Sequence, residues 1–254
     1  MEADFDTWML VFLRVGAFLL VLPFFSMNEM PVLLRVSLAA LISLLLTPVV
    51  APHPLGQLDY TAILGLMMQE VGIGLLLGFL SRLIFFAAEL AGSIIASEMG
   101  LNLASVFDPM TQQSSPIAGT LLMYLSMLVM LSLNLHDWML LGFARTYDLL
   151  PIGGGHFNRQ LLAEVVPQTS RVFMTALQIS TPVIAASFVI TMIFAVLSRA
   201  VPQMNVFTEM YGFKIVGSLV VLGFSLQLAA QYVAQFFNAL PEDLLVVAKM
   251  IGGG

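Results

Sequence analysis

"SEMGLNLASVFDPMTQQSSPIAG", residues Ser97 to Gly119, is a polar, proline-bounded run in the middle of a chain that is otherwise almost entirely apolar. Its first ten residues carry the small Gly100 and Ala104 on one side and predict a helix that continues to Val106. Asp108-Pro109 ends that helix, because the residue before a proline is pushed out of the helical region. Thr111 to Ser115 have no apolar side chain, and Pro116 opens the next helix in the first-turn position proline favours. The expected element is a helical hairpin whose tip is polar and, apart from Asp108, neutral. One reading of such a tip is an aqueous surface turn. The other is a loop lining or closing a pore, since non-helical backbone at membrane depth is tolerated only where protein covers it or water reaches it.

The flanking sequence settles the class. Of 254 residues, 59% are hydrophobic and 9% charged, a balance that belongs to an all-α integral membrane protein forming a single membrane domain over 1–254. The N-terminus "MEADFDTWML" has three acids and no base before its first apolar run, the opposite of a secretory leader, so the first segment is expected to be retained. Zero cysteines exclude disulfides and thiolate metal sites. A net charge of −6, with nine scattered Lys and Arg, argues against nucleic acid.

Six apolar stretches predict about six long helices in hairpins: Trp8 to Leu22, Val32 to Val50, Ile63 to Leu90, Ile117 to Leu141, Val172 to Leu197 and Ile215 to Phe237. The first is short for a bilayer that needs about 20 residues. "RTYDLLPIGGGHFNRQLLAEVVPQTSR" joins the fourth to the fifth; its glycine triplet reads as a flexible turn, and "NRQLLAEVV" as a short helix capped by Asn158. "PEDLLVVAKMIGGG" reads as a further helix with Pro241 in its first turn. Basic residues fall in nearly every connection, so orientation is not legible from charge: either the signal is weak or the helices do not all span.

Ionisable groups inside membrane helices are costly, which singles out Arg14, Glu70, Arg82, Glu89 and Glu98. Arg82 and Glu89 share a helix face about 10 Å apart along the axis, and so are expected to meet partners on other helices rather than each other. Polar ties between helices are the expected role. Proton relay or ion binding is disfavoured, because no second carboxylate stands at relay spacing. His53, His136 and His156 are isolated, with no second histidine at helical spacing, so no metal is expected. No nucleophile elbow and no phosphate-binding loop is present, so neither an enzyme nor a bound cofactor is expected. Gly74 and Gly78, and Ala88 and Gly92, have the small-xxx-small spacing of closely packed helices.

"GSIIASEMGLNLASVFDP", followed by "LPIGGG" and "SRAVPQMNVF", resembles the R-type subunits of the flagellar type III secretion export gate and their virulence-system counterparts, the R/T family. "PFFSMNEMPVLLRVSLAALISLLLTP" and "QEVGIGLLLGF" are similar to the same family. The resemblance covers nearly the whole chain, in order. It implies a P-like portion over 1–170 and a Q-like hairpin with its tail over 171–254. The implied partners are P-type and Q-type gate subunits, a B-type switch subunit and unfolded export substrates. The implied place is the bacterial inner membrane at the flagellar basal body.

In that family the loop after the DP motif acts as a channel plug. Carried over, the plug consists of Phe107, Asp108, Pro109, Met110, Thr111, Gln112, Gln113, Ser114, Ser115 and Pro116. The bend of the Q-like hairpin falls on Pro202, Gln203 and Asn205, with Lys214 in place. Gly212 is left to supply the bend where the family often has a glycine, phenylalanine, proline run. Glu98 stands where the family commonly has glutamine. The rival reading is a secondary transporter of a small solute that uses Glu70, Arg82 and Glu89 at a broken-helix site.

Overall fold

A computed structural model of the chain describes residues 2–26, 30–53, 55, 58–101, 117–155, 159–200 and 206–252. All regular structure among them is helical: α1 Glu2–Val21, the single turn α2 Pro23–Ser26, α3 Val32–Leu46 with a 3₁₀ turn Thr47–Val49, and α4 Tyr60–Met99. Then follow α5 Ile117–Ser132, α6 Leu135–Leu149, α7 Arg159–Ala200 and α8 Val206–Ile251. This is the expected outcome for backbone in lipid, where only helices satisfy their own polar groups locally.

Among the described residues, four segments are long and apolar enough to cross a membrane: Val32–Val49, Tyr60–Met99, Val165–Ala200 and Glu209–Ile251. The fourth apolar stretch of the sequence, expected as one helix, is broken: α5 and α6 meet at an angle of 77°. Asn134, at the joint, has φ 52°, the left-handed conformation that asparagine tolerates better than most residues. The first stretch is longer than expected, with 20 residues in α1, yet it is not among the crossing segments; its Leu10, Val11, Val15, Phe18 and Leu19 lie in a protein core instead.

Three expected boundaries move. The Asn158 cap lies outside the described residues, and the short helix expected after it is the first part of the 42-residue α7. Pro241 opens no helix but sits inside the 46-residue α8, where Gly142 of α6 leaves room for its ring. α4 stops at Met99 rather than Val106. Gly100, with φ 79°, donates its N–H to Ser97 O (3.1 Å) and Leu101 donates to Ala96 O (3.0 Å), the paired bonds of a Schellman cap.

The chain divides into two compact units, one of 1–83, 134–169 and 237–254 and one of 84–133 and 170–236. The first has a core of α1, the first half of α4, α6 and the end of α8, whose Leu244, Val247, Ala248 and Ile251 are fully buried. The second packs the later half of α4 (Ile84, Ala87, Ala91, Ile95) with α5 and the remaining parts of α7 and α8. There, Gly92 of α4 and Gly119 of α5 meet backbone to backbone, so that a methyl group on Gly92 would overlap the other helix.

Candidate functional site: a buried ion pair on a glycine turn

In the first unit α1 carries Arg14 on its core face, between Leu10, Val11, Val15 and Phe18, so the guanidinium has no route to solvent; its exposure is 0%. Glu70 on α4 is equally buried and answers it with both oxygens: Arg14 Nε donates to Oε2 at 2.5 Å and Nη2 to Oε1 at 3.1 Å. Close approach of the helices depends on Gly74, one turn on from Glu70, since a methyl group there would run into the backbone carbonyl of Arg14.

A third helix completes the pair. Arg14 Nη1 donates to the carbonyl of Leu150, just past the end of α6, at 3.0 Å, and the guanidinium lies over the Tyr147 ring, 4.2 Å from its centroid. The remaining acceptor capacity of Glu70 is met by the Gly153 N–H, 3.2 Å from Oε1. Gln69, the neighbour of Glu70, donates to Gly155 O at 2.6 Å. Two buried charges thus have good geometry and additional hydrogen bonds, the condition under which burial is tolerable.

The "LPIGGG" segment, expected as a flexible turn, is held. Gly154 N–H donates to Pro151 O at 3.0 Å and Gly153 has φ 76°, the pattern of a turn whose third residue must be left-handed. Leu150, Gly153 and Gly155 contribute backbone groups to the pair and its neighbour, and Tyr147 contributes a ring. Sequence reasoning missed all four. The usable signal was the glycine triplet itself, because backbone groups reach a buried polar cluster most easily where side chains are absent.

The other ionisable residues are placed separately. Arg82 is half-buried, with Nη1 3.4 Å from the carbonyl of Val21, the last residue of α1, a favourable place for a cation. Glu89 is exposed on α4. Glu98, in the second unit, is met from α7: Ser187 Oγ lies 3.0 Å from its Oε2 and 3.2 Å from its backbone carbonyl. Arg14 and Glu70 are therefore the two that come together, and the Glu70 carboxylate is already occupied at both oxygens. Lys214 and Gly212 lie inside α8. Gly212 is thus a helical residue, a position that costs about 1 kcal/mol relative to alanine but is tolerated. Pro202, Gln203 and Asn205 fall outside the described residues, as does the expected plug segment Phe107 to Pro116.

The fold and this closed polar cluster define a helical membrane protein. It belongs to the bacterial export proteins, family 1, whose model matches residues 5–240; it is a transport component and not an enzyme. The chain is similar to the flagellar biosynthetic protein FliR of Bacillus subtilis, with 28% identity over 98% of this chain and 96% of that protein. It is also similar to the protein of the same name from Escherichia coli, at 26% over 90% and 87%, and from Caulobacter vibrioides, at 28% over 85% and 87%.

Proposed function

We propose that the chain is a subunit of the bacterial flagellar type III protein export gate. The observation that carries this reading is the match to an export family across 5–240, joined by similarity to flagellar biosynthetic proteins over nearly their whole length. In this reading it assembles with P-type and Q-type subunits, meets a B-type switch subunit, and sits in the inner membrane at the basal body. Unfolded flagellar proteins are the cargo. Segment 107–116 is the plug: polar, low-charge residues are wettable and offer an extended chain little to grip.

Helix length supports an assembly rather than a lone transporter. α4, α7 and α8 have 40, 42 and 46 residues, about 60–70 Å of helix each at 1.5 Å per residue, against about 30 Å of hydrocarbon. Their excess must be covered by something other than lipid tails. α7 and α8 also expose Phe173, Met174, Phe188, Ile193, Phe213 and Phe224, apolar side chains that lipid or partner subunits would cover.

The test is deletion of Thr111 to Ser115 in the assembled complex. The expected result is a complex of normal composition that leaks ions when no cargo is present. An unchanged closed conductance overturns the plug assignment. Purification in mild detergent without small membrane partners overturns the gate reading itself.

A further inference from the structure

α8 is one helix by its hydrogen bonds but two by its surroundings. Its residues up to 236 belong to the second unit and those from 237 onward to the first. The changeover falls beside Pro241, which has no N–H to give to the carbonyl one turn back. Before it, Phe213, Val216, Leu219, Val220 and Phe224 are each more than half exposed. After it, Leu244, Val247, Ala248 and Ile251 are completely buried. They recur at i, i+3, i+4 and i+7, one face of a helix, while Glu242, Val246 and Lys249 on the other side are exposed. Glu242 and Asp243 directly after the proline and Lys249 in the last turn are charges placed as a separate helix would place them.

The seat of this segment lies wholly in the first unit and is shaped by glycines at both ends. At its start, a Cβ on Gly142 of α6 would stand 3.3 Å from Pro241 and 3.8 Å from Leu244 Cδ1. At its finish, a Cβ on Gly155 would stand 3.2 Å from Ile251 Cγ2, and one on Gly252 2.6 Å from the carbonyl of Leu149. Between them Gln168 Nε2 of α7 donates to Asp243 Oδ1 at 2.8 Å. An amphipathic helix laid apolar face down in a groove is a mode by which separate peptides dock; here the groove is filled by the chain itself. The far end of the segment rests on the turn whose Leu150 carbonyl and Gly153 N–H are held by Arg14 and Glu70.

We propose that residues 241–251 form a strap hinged at Pro241, which docks over α6 and the glycine turn and opens as one piece without unfolding the rest of α8. Local units of this kind open with free energies below that of global unfolding. Opening lifts Ile251 and Gly252 from Leu149 and Gly155 and leaves Arg14 and Glu70 to hold the turn alone. The strap is therefore a second lock on the turn, built from apolar contacts where the first is built from charge.

The test is amide hydrogen exchange of the full chain in detergent micelles, read by mass spectrometry on peptides covering 150–155, 210–236 and 244–251. The first and last are expected to exchange at one shared rate, faster than 210–236. Gly142→Leu obstructs the seat and should speed exchange in 150–155 and 244–251 by about tenfold or more, with 210–236 unchanged. Asp243→Ala, a milder change in case that variant does not fold, should speed the same two peptides about fivefold, the equivalent of one hydrogen bond. Pro241→Ala restores the missing donor and should slow 244–251 toward the rate of 210–236. A single rate along the whole of α8 in the unaltered chain overturns the strap. So does a folded Gly142→Leu or Asp243→Ala variant that leaves 244–251 unchanged or speeds 210–236 equally.

Discussion

In the first unit α1, α4 and the α6 turn close around two buried charges; in the second, α4 and α5 close through glycines, with Gly92 against Gly119. The first arrangement is specific and costly. Arg14 and Glu70 give up water completely and are compensated by each other, by Leu150 and Gly153 backbone groups and by the Tyr147 ring. The second is inexpensive and tolerant: without side chains at the contact, dispersion between backbones holds the helices, and nothing polar is desolvated. A polar cluster fixes one turn in one place, because its donors and acceptors are each directed at a particular group. A glycine contact fixes distance and leaves orientation to the surrounding side chains.

The largest expected effect follows from removing half of the pair. Glu70→Ala leaves a guanidinium buried without its counter-charge, and should destabilise the folded chain by about 3–5 kcal/mol. The change is read as a fall in melting temperature in detergent. Combining Arg14→Met with Glu70→Leu should restore most of that loss, since two apolar groups need no partners. A double variant as unstable as the single one would mean that the contacts to Leu150 and Gly153, and not the charge pair, hold the unit.

The second effect tests the glycine contact. Gly92→Ala forces two backbones apart and should cost about 1–3 kcal/mol. Gly223→Ala on α8, where an added Cβ meets nothing within 4 Å, should be neutral or gain up to about 1 kcal/mol from helix propensity. Equal melting temperatures for the two variants would show that α4 and α5 have room to separate.

How much of this was legible follows the same division. Apolar run lengths gave the helical membrane class and most helix positions, because hydrophobicity and backbone satisfaction act locally along the chain. Arg14 and Glu70 stood out by cost alone, but their pairing across 56 positions depends on tertiary packing that no local pattern encodes. One break was misplaced where a proline was read as a boundary, although helices do begin at Val32 and Ile117, directly after Pro31 and Pro116 in the sequence. Pro241 was carried inside α8, while Asn134 and Gly100, left-handed residues of modest sequence signal, supplied the actual joint and stop. Proline forbids one hydrogen bond, which a long, well-packed helix outweighs; a positive φ redirects the chain.

A smaller effect is expected at the turn that the pair holds. Gly153→Ala must place a Cβ on a residue with φ 76°, which costs about 1–2 kcal/mol, and the added atom would press on Leu66 Cδ2 at 2.9 Å. Gly154→Ala, with no such φ and Pro151 as its nearest neighbour at 3.2 Å, should cost less. If the order of the two melting temperatures is reversed, the turn is not held in the left-handed form.

The smallest effect lies at the end of α4 and separates hydrogen bonding from charge. Ser187→Ala on α7 removes the hydroxyl shared between the carboxylate and the carbonyl of Glu98, a loss of about 1 kcal/mol. Glu98 also sits in the last turn of α4, where the helix dipole disfavours an anion by about 0.3–1 kcal/mol. Glu98→Gln keeps an acceptor for Ser187 and removes that repulsion, so it should leave stability unchanged or raise it by a few tenths of a kcal/mol. Paired melting curves decide between the two forces. A loss in Glu98→Gln as large as in Ser187→Ala would mean that the negative charge itself, received by the hydroxyl, holds α4 to α7; a neutral result assigns the contact to the hydrogen bond and leaves the charge free for another role.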